Sequence, residues 1–243
     1  MALIDNLVSY WKLDESSGNA ADSVGSNTLT NTNSATYSAG KINNGVAVAR
    51  ASSQYLTITD ATQSGLDITG SLSFSFWMKP SSQADARAIF AKYNTTGNQM
   101  AYQFRVGASS GLAFWADLSS NGSAVTQVQG GTVTWNNGTW YHIVFVYTAS
   151  AGTVDCYSNG SNITTLSGFP TSLFNSSANF NLGVGLLAGG EYFDGMIDEA
   201  GIWSRALTST EVTELYNSGA GLAYPFTTYN PAIARRRVLL NMI

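Results

Sequence analysis

The residues best suited to hydrolytic chemistry are the carboxylates, and their spacing argues against it. Asp198-Glu199 and Asp14-Glu15 are adjacent pairs. Neighbouring residues of a strand point to opposite faces of a sheet, whereas a retaining glycosidase needs two carboxyl groups about 5 Å apart in one cleft. Glu191 and Asp194 are three residues apart in a glycine-rich segment, which is not strand spacing. These patterns predict that the chain is not a glycosidase.

Other catalytic chemistries lack the residues they need. His142 is the only histidine and Cys156 the only cysteine, too few for a zinc site. His142 lies among bulky strand residues, so we interpret it as structural rather than as the base of a catalytic triad. Cys156 lies in an apolar run and is predicted to be a buried, inert thiol. No glycine-rich phosphate loop is present. We therefore predict that the chain is not an enzyme.

Surface binding is the chemistry that the glycine-rich segment around residues 189–195 favours. Glu191, Tyr192, Phe193 and Asp194 are consecutive there. Aromatic rings in such loops stack on sugar rings, and carboxylates accept hydrogen bonds from hydroxyl groups. Trp115 lies near other Gly- and Ser-rich turns and is interpreted either as a core residue or as a sugar-stacking one. These five residues, together with Asp85 in the Ser- and Gln-rich segment before Ala88, are the predicted ligand-binding set.

The charge balance excludes several kinds of partner. The net charge is −4 and Lys plus Arg number only 11, so the main body is not predicted to bind nucleic acid. Arg235, Arg236 and Arg237 form the one basic run, predicted to dock on an acidic partner or to remain a solvated tail.

The first residues lack the pattern of a signal peptide, and no apolar run reaches the length of a membrane span.

The hydrophobic periodicity is that of β-strands. Leu72, Phe74, Phe76 and Met78 alternate onto one face. The run 141–147 alternates in the same way with apolar residues on both faces, so we expect a central strand. Asn159-Gly160 lies between two further strand segments and predicts a tight hairpin. The whole pattern predicts an all-β, antiparallel fold of about a dozen strands.

Only one helix is predicted, near the end of the chain. Thr208 and Glu211 have the spacing of a capping box, and Gly219 is the expected stop. After residue 223 the pattern changes, so we divide the chain into a domain at 1–223 and an extension at 224–243. The extension is predicted to dock on a neighbour or to form a disordered tail.

By the order of these features the chain resembles the laminin-G-like domains of the concanavalin A-like lectin/glucanase superfamily, especially single-sandwich bacterial and bacteriophage members. The resemblance covers residues 7 to 222. The runs that carry it are Leu7–Glu15, Gly45–Val48, Gln54–Ile58, Gly70–Pro80, Gly138–Tyr147, Tyr157–Gly160 and Gly195–Leu207. It implies a two-sheet jelly-roll sandwich in which the first strand pairs with the strand at 197–203. It does not select a ligand, because one fold hosts many functions.

The resemblance also implies two alternative calcium sites. One, similar to the structural calcium of related glucanases, joins Asp14 to Asp198. Its alternative is that Asp198 accepts backbone hydrogen bonds. The other resembles the pentraxin site, with Asp85 in its first acidic loop; the second loop carries no carboxylate near 182–190, and Glu191 or Asp194 would have to replace it. Calcium is the only cofactor that we expect.

The leading hypothesis is a non-enzymatic virion or surface structural protein, part of an oligomer or larger assembly, whose lectin-like domain contacts glycans. Its expected location is the virion, or the cell surface if the chain is a fragment of a secreted protein. The alternative is a soluble carbohydrate-binding lectin, with or without calcium. A polysaccharide-active enzyme is the third hypothesis, against which the missing carboxylate pair argues.

Overall fold

A computed structural model describes residues 2–82, 87–107, 113–185 and 190–226 of the chain. The strands, numbered in chain order, are β1 (Leu7–Trp11), β2 (Thr30–Thr32), β3 (Thr36–Ala39), β4 (Asn44–Val48), β5 (Tyr55–Ile58), β6 (Leu72–Pro80), β7 (Arg87–Asn94), β8 (Gln99–Val106), β9 (Phe114–Gly122), β10 (Thr126–Gly130), β11 (Tyr141–Thr148), β12 (Thr153–Ser158), β13 (Ser161–Ser167), β14 (Phe180–Leu182), β15 (Val184–Gly185), β16 (Glu191–Tyr192) and β17 (Gly195–Trp203). The helix α1 spans Ser209–Tyr216.

Two large antiparallel sheets make up the sandwich. The back sheet has the strand order β13-β12-β11-β6-β17-β4-β3, with β1 also paired to β17. The front sheet has the order β10-β9-β8-β7-β14-β5-β2, and β15 pairs with β16 in a separate two-stranded ladder. The predicted all-β, two-sheet fold with one short helix is confirmed, as is the pairing of β1 with β17. The strands outnumber the predicted dozen because several have only two or three residues.

The core lies between the two sheets and is rich in aromatic rings. The predicted alternation in β6 is confirmed, because Leu72, Phe74, Phe76 and Met78 are all buried in this core. The Phe74 ring of the back sheet stacks on Phe90 of the front sheet with centroids 4.4 Å apart. Offset stacking of this kind adds about 0.5–1.5 kcal/mol to the burial of the rings. The strand β11 lies between β12 and β6, the central position that its two apolar faces predicted.

The helix begins as the sequence predicts and ends earlier. Thr208 Oγ1 accepts from the Glu211 N–H at 3.3 Å, and Glu211 Oε2 accepts from the Thr208 N–H at 2.8 Å, which completes the capping box. The prediction that Gly219 ends the helix is wrong. The helix ends at Tyr216, because Asn217 adopts the left-handed conformation that asparagine tolerates. No helix among the described residues is long and apolar enough to cross a bilayer.

A second apolar cluster covers the outer face of the back sheet. It joins Tyr10 of β1 and Trp203 of β17 to the buried side of α1. Phe226 packs edge-on against Tyr10 at 5.3 Å and stacks on Trp203 at 6.2 Å. Residues 224–226, which the sequence assigned to the extension, therefore pack on the domain. The rest of that extension, including the arginines at 235–237, lies outside the described residues.

Candidate functional site

One line of side chains crosses the front sheet from edge to edge. The strand register aligns one residue from each strand, namely Thr30, Thr57, Asn181, Ala91, Gln103, Asp117 and Gln127. The residues flanking Gln103, Tyr102 and Phe104, belong to the core. Successive residues of a strand point to opposite faces, so the line faces outwards. We call these seven residues the polar row, since all except Ala91 are polar.

An ion-pair network connects the polar row to the β15–β16 ladder. Arg105 Nη2 lies 2.9 Å from Asp117 Oδ2, and Arg105 Nη1 lies 3.1 Å from Glu191 Oε1. Gln103 Nε2 donates to Asp117 Oδ2 at 3.1 Å and to Glu191 Oε2 at 3.4 Å. The Asp117 side chain is only 1 % exposed and that of Glu191 is 20 % exposed. The buried charges therefore hold the accessible carboxylate of Glu191 in a fixed position.

The same buried carboxylate orients an exposed amide on the edge strand β10. Gln127 Nε2 donates to Asp117 Oδ1 at 2.7 Å, and the Gln127 residue is exposed. Two positions along β10, the exposed Gln129 accepts a hydrogen bond from Trp115 Nε1. Exposed amides that are held by buried partners lose little conformational freedom on binding a ligand. This edge of the front sheet is thus pre-ordered for hydrogen bonding.

Two buried polar atoms on either side of Ala91 have no hydrogen-bond partner. They are Gln103 Oε1, an acceptor, and Asn181 Nδ2, a donor pair. Ala91 is the one short side chain of the polar row and pairs with both residues in the register. Unsatisfied buried polar groups cost roughly 1–3 kcal/mol each. They mark this part of the row as a place where a buried water molecule would be stabilised.

The β15–β16 ladder covers the centre of the polar row. The strand β15 packs against β7, and a side chain at Gly185 would clash with Gln103 and Ala88. Only glycine therefore allows the backbone of β15 to approach the front sheet this closely. Beside the ladder, the Tyr192 ring lies 6.1 Å from the Tyr55 ring of β5, and both rings are partly exposed. The accessible surface of the site consists of the residues around this cover.

Burial changes the acidity of two groups at the site. Burial raises the pKa of Glu191, and the Arg105 guanidinium opposes this rise. Burial also raises the pKa of Tyr93 to about 12, with a smaller contribution from the negative charge of Asp117. The Tyr93 ring therefore remains a neutral phenol at physiological pH. Its polar end and the Glu191 carboxyl group are both suited to hydrogen bonding.

The predicted ligand-binding residues do not form one group. Glu191 lies in the ion-pair network and Tyr192 beside Tyr55, as described above. The prediction that Phe193 is a surface ring is wrong, because its residue is 2 % exposed and packs in the core. Asp194 Oδ1 accepts from the Arg50 N–H at 3.2 Å. Trp115 is 5 % exposed, which excludes ring stacking with a ligand.

Asp85, the remaining predicted ligand-binding residue, lies outside the described residues. Sequence reasoning missed most of the site, including Gln103, Arg105, Asp117 and Gln127. One signal was available, since Gln103 and Arg105 alternate with Tyr102, Phe104 and Val106 in an otherwise apolar strand. Polar residues at alternate positions of a strand that is flanked by core residues indicate a functional outer face.

Asp198, a predicted calcium ligand, instead accepts backbone hydrogen bonds. Its Oδ2 accepts from the N–H groups of Lys41 at 2.7 Å and Ile42 at 2.9 Å, and its Oδ1 accepts from the Glu199 N–H at 2.9 Å. This is the alternative that the sequence left open. Burial raises the pKa of Asp198 to about 8 and that of Glu199 to about 7.

Asp14, the other predicted calcium ligand, accepts hydrogen bonds from the turn between β3 and β4, the same turn that donates to Asp198. It accepts from Asn43 Nδ2 and from the Asn44 N–H, both at 3.2 Å. Donor groups aimed at a carboxylate occupy the positions that a cation would need. The described residues contain no group of three or more acidic, histidine or cysteine side chains placed to hold a metal ion. The residues described here therefore do not fit a calcium ion, and calcium binding stays a prediction.

The single histidine has the structural environment that the sequence predicted. His142 Nε2 lies 2.8 Å from Ser75 Oγ, and its ring packs against both Trp77 and Tyr216, at 5.1 and 6.0 Å. Burial lowers the pKa of His142 to about 3, so the ring is neutral. Cys156 is a buried free thiol, also as predicted.

The fold and the sequence together place the chain in a known class of β-sandwich. It belongs to the concanavalin A-like lectin/glucanases superfamily, because the Laminin_G_3 model of that superfamily matches residues 50–213. The search of curated proteins found no match. The resemblance inferred from the sequence is thus confirmed at the level of the family.

Three solved structures show the likeness in three dimensions. Domain 4 of AbnA, a GH43 extracellular arabinanase from Geobacillus stearothermophilus in complex with arabinotriose, is 22% identical with a TM-score of 0.64, over 86% of this chain and 97% of that one. The binding domain of Paraclostridial Mosquitocidal Protein 1 is 16% identical with a TM-score of 0.63, over 88% and 52%. The binding domain of Botulinum Neurotoxin DC, in complex with SialylT, is 14% identical with a TM-score of 0.61, over 88% and 52%.

The chain therefore spans about half the length of the two toxin binding domains. At these identities the likeness shows the fold alone.

Proposed function

We propose that this protein is a non-enzymatic carbohydrate-binding module whose binding surface is the outer face of the front sheet. The observation that carries the proposal is the polar row with its ion-pair network, in which buried charges orient accessible hydrogen-bonding groups. Saccharides offer many hydroxyl groups that donate and accept at once, and they match surfaces where carboxylates and amides are held in place. The accessible groups are Glu191 at the cover and Gln127 at the edge strand.

Aromatic rings next to the cover complete a surface suited to sugars. Tyr192 and Tyr55 are both partly exposed and lie side by side. The apolar face of a sugar ring packs on such rings, while its hydroxyl groups reach neighbouring polar side chains. An uncharged saccharide fits this combination better than a phosphate would, because the partly exposed Glu191 carboxylate repels anions.

Two of the similar structures carry names that fit this proposal. The arabinanase domain is described in complex with arabinotriose, and the botulinum neurotoxin domain in complex with SialylT. A third structure concerns entry of botulinum neurotoxin type C through two ganglioside molecules. These ligands belong to those proteins. They support the choice of a saccharide, without identifying the one that this chain binds.

The network also supports the non-enzymatic part of the proposal. Asp117 accepts hydrogen bonds from Gln103, Arg105 and Gln127 and is almost fully buried. A carboxylate in this state is not free to attack an anomeric carbon or to activate a water molecule. Within the described ion-pair network, Glu191 is the one accessible carboxylate, so this network does not present a pair of accessible carboxylates.

A glycan array, followed by calorimetry on the best ligand, tests the proposal. We expect Glu191→Gln and Gln127→Ala each to weaken binding by about tenfold or more. Glu214→Gln, an exposed residue of α1 on the opposite side of the protein, is the matched control and should bind as the wild type does. No glycan binding, or wild-type affinity in both site variants, would overturn the proposal. Release of reducing ends from a bound polysaccharide would overturn its non-enzymatic part.

The virion or surface-assembly role stays a prediction, because it depends on residues 227–243. Light scattering should compare the full chain with a chain ending at Phe226. That end point keeps the contacts of Phe226 with Tyr10 and Trp203, which a chain ending at Ala223 would lose. Assembly by the full chain alone would favour the predicted role, and monomers in both cases would argue against it.

A further inference from the structure

A polar groove lies at one edge of the sandwich, beside the β2 end of the polar row and far from the ion-pair network at Arg105. It is lined by Ser16, Ser17, Gly18, Asn19, Asn31, Ser34, Ala35, Thr36 and Tyr37. These residues come from β2, from β3, from the turn between them and from the loop that follows β1. Because β2 and β3 are the edge strands of the front and back sheets, the groove lies where the two sheets end. Its volume of about 520 Å³ is within the range of small-molecule sites.

The walls of the groove are held rigidly by hydrogen bonds. Asn31 Nδ2 donates to the carbonyl groups of Gly18 at 3.1 Å and Ala35 at 2.7 Å, and Asn31 Oδ1 accepts from the Ala35 N–H at 2.8 Å. Asn19 Oδ1 accepts from the Asn31 N–H at 3.0 Å. The Tyr37 hydroxyl donates to the Gly18 carbonyl at 3.0 Å, which fixes the ring. One asparagine thus ties the loop after β1 to the β2–β3 turn, and a ligand meets a pre-formed site.

The lining residues select an uncharged ligand that is rich in hydroxyl groups. None of them is acidic or basic, so the groove lacks the cations that hold a phosphate. Four side-chain hydroxyl groups, of Ser16, Ser17, Ser34 and Thr36, each donate and accept. Tyr37 supplies one partly exposed ring for the face of a sugar.

We infer that this groove is a second saccharide subsite, for a neutral disaccharide or the end of a neutral oligosaccharide. The inference rests on the proposed function for its class of ligand, and on the groove itself for its place. The strand order β8-β7-β14-β5-β2 separates Gln103, at the ion-pair network, from the groove by four strand spacings, or about 19 Å. A monosaccharide bound at that network cannot reach the groove, so the groove is a separate subsite.

Backbone amide NMR during titration with cellobiose, maltose or arabinotriose tests the inference. We expect one of these sugars to shift the amide signals of Gly18, Asn31 and Ala35. Ser17→Trp, at an exposed position in the wall, fills the groove and should weaken that response by about tenfold or more. Thr28→Trp is the matched control, because Thr28 is exposed and lies just before β2 but outside the groove. This variant should leave the response to the sugar unchanged.

The same titration separates failure of the subsite from failure of the proposed function. Shifts confined to Gln103, Arg105 and Glu191, removed by Glu191→Gln and unaffected by Ser17→Trp, would overturn the second subsite and leave the proposed function intact. Shifts confined to the groove and removed by Ser17→Trp would support the subsite while overturning the front face as the binding surface. No shift at either place with any of the three sugars would overturn the subsite, and the glycan array then decides the proposed function. An unchanged melting temperature of Ser17→Trp shows that the variant is folded.

Discussion

Arg105 Nη1 lies 3.1 Å from Glu191 Oε1, and this pair fastens the β15–β16 ladder to the middle of the front sheet. The two residues are 86 positions apart in the chain. Arg105 also neutralises the buried carboxylate of Asp117 on the neighbouring strand β9. One buried guanidinium therefore determines both the charge of the site and the position of its cover.

Arg105→Met should destabilise the protein more than removal of the whole pair does. The single change leaves the buried Asp117 carboxylate without its cation, which costs about 3–5 kcal/mol. Arg105→Met combined with Asp117→Leu removes both charges and should cost less, since apolar replacements of buried pairs are often nearly neutral. Urea unfolding of the three proteins gives the free energies. A double variant that is less stable than the single one would contradict the expectation.

Gly185→Ala should lift the cover from the front sheet. The added methyl group would meet Gln103 and Ala88, and such overpacking typically costs 1–3 kcal/mol. Hydrogen exchange of residues 184–192, read by mass spectrometry, should become faster. Gly70→Ala is the control, because a Cβ at that position meets no atom within 4 Å. Equal exchange in the two variants would show that the close approach at Gly185 does not hold the cover in place.

Stability should fall as the pH falls from 6.5 towards 3, with His142 as one cause. Burial lowers the pKa of His142 to about 3, so the unfolded chain takes up a proton in this window while the folded protein does not. More protons on the unfolded state means that stability rises with pH. His142→Gln keeps a partner for Ser75 and removes the titration. It should reduce the loss of stability between pH 7 and 4.5 by roughly 2 to 3 kcal/mol; the same loss in both proteins would contradict this.

Calcium should leave the melting temperature unchanged relative to a chelator, because N–H groups already surround the Asp198 carboxylate. Asp198→Asn should lower stability by about 1–3 kcal/mol with or without calcium, because the amide replaces one of two acceptor oxygens with a donor that faces a backbone N–H group. Differential scanning fluorimetry of both proteins makes the comparison. A calcium-dependent rise that Asp198→Asn abolishes would instead confirm the calcium site expected from the sequence.

The strongest sequence predictions were those in which a local pattern determines the local structure. Phe74 and Phe76 reach the core because period-two alternation needs no knowledge of distant residues. The turn at Asn159-Gly160 has positive φ at both residues and joins β12 to β13, as predicted. The start of α1 was predicted from Thr208 and Glu211 for the same reason. Its end was missed because Gly219 and Asn217 are both residues that terminate helices.

The candidate site was largely missed because it depends on register between strands distant in sequence. Asn181 and Gln103 flank Ala91 only because β14 and β8 both pair with β7, and no spacing along the chain predicts this. Glu191 was predicted as a binding residue from its position in a glycine-rich segment. Its ion-pair partner Arg105 is evident only in the three-dimensional structure. Phe193 was misassigned because a glycine-rich segment was taken to be exposed throughout, whereas this ring fills the core between the sheets.

The packing of Phe226 on Tyr10 and Trp203 places the last described residue behind the back sheet. Near the other end of the described chain, Trp203 Nε1 donates to the Leu3 carbonyl at 2.7 Å, so both ends lie behind the back sheet. The polar row is on the opposite side of the sandwich. A tether attached beside Leu3 or directly at Phe226, whether a fusion partner or a sensor chip, therefore leaves the front face directed away from the attachment point.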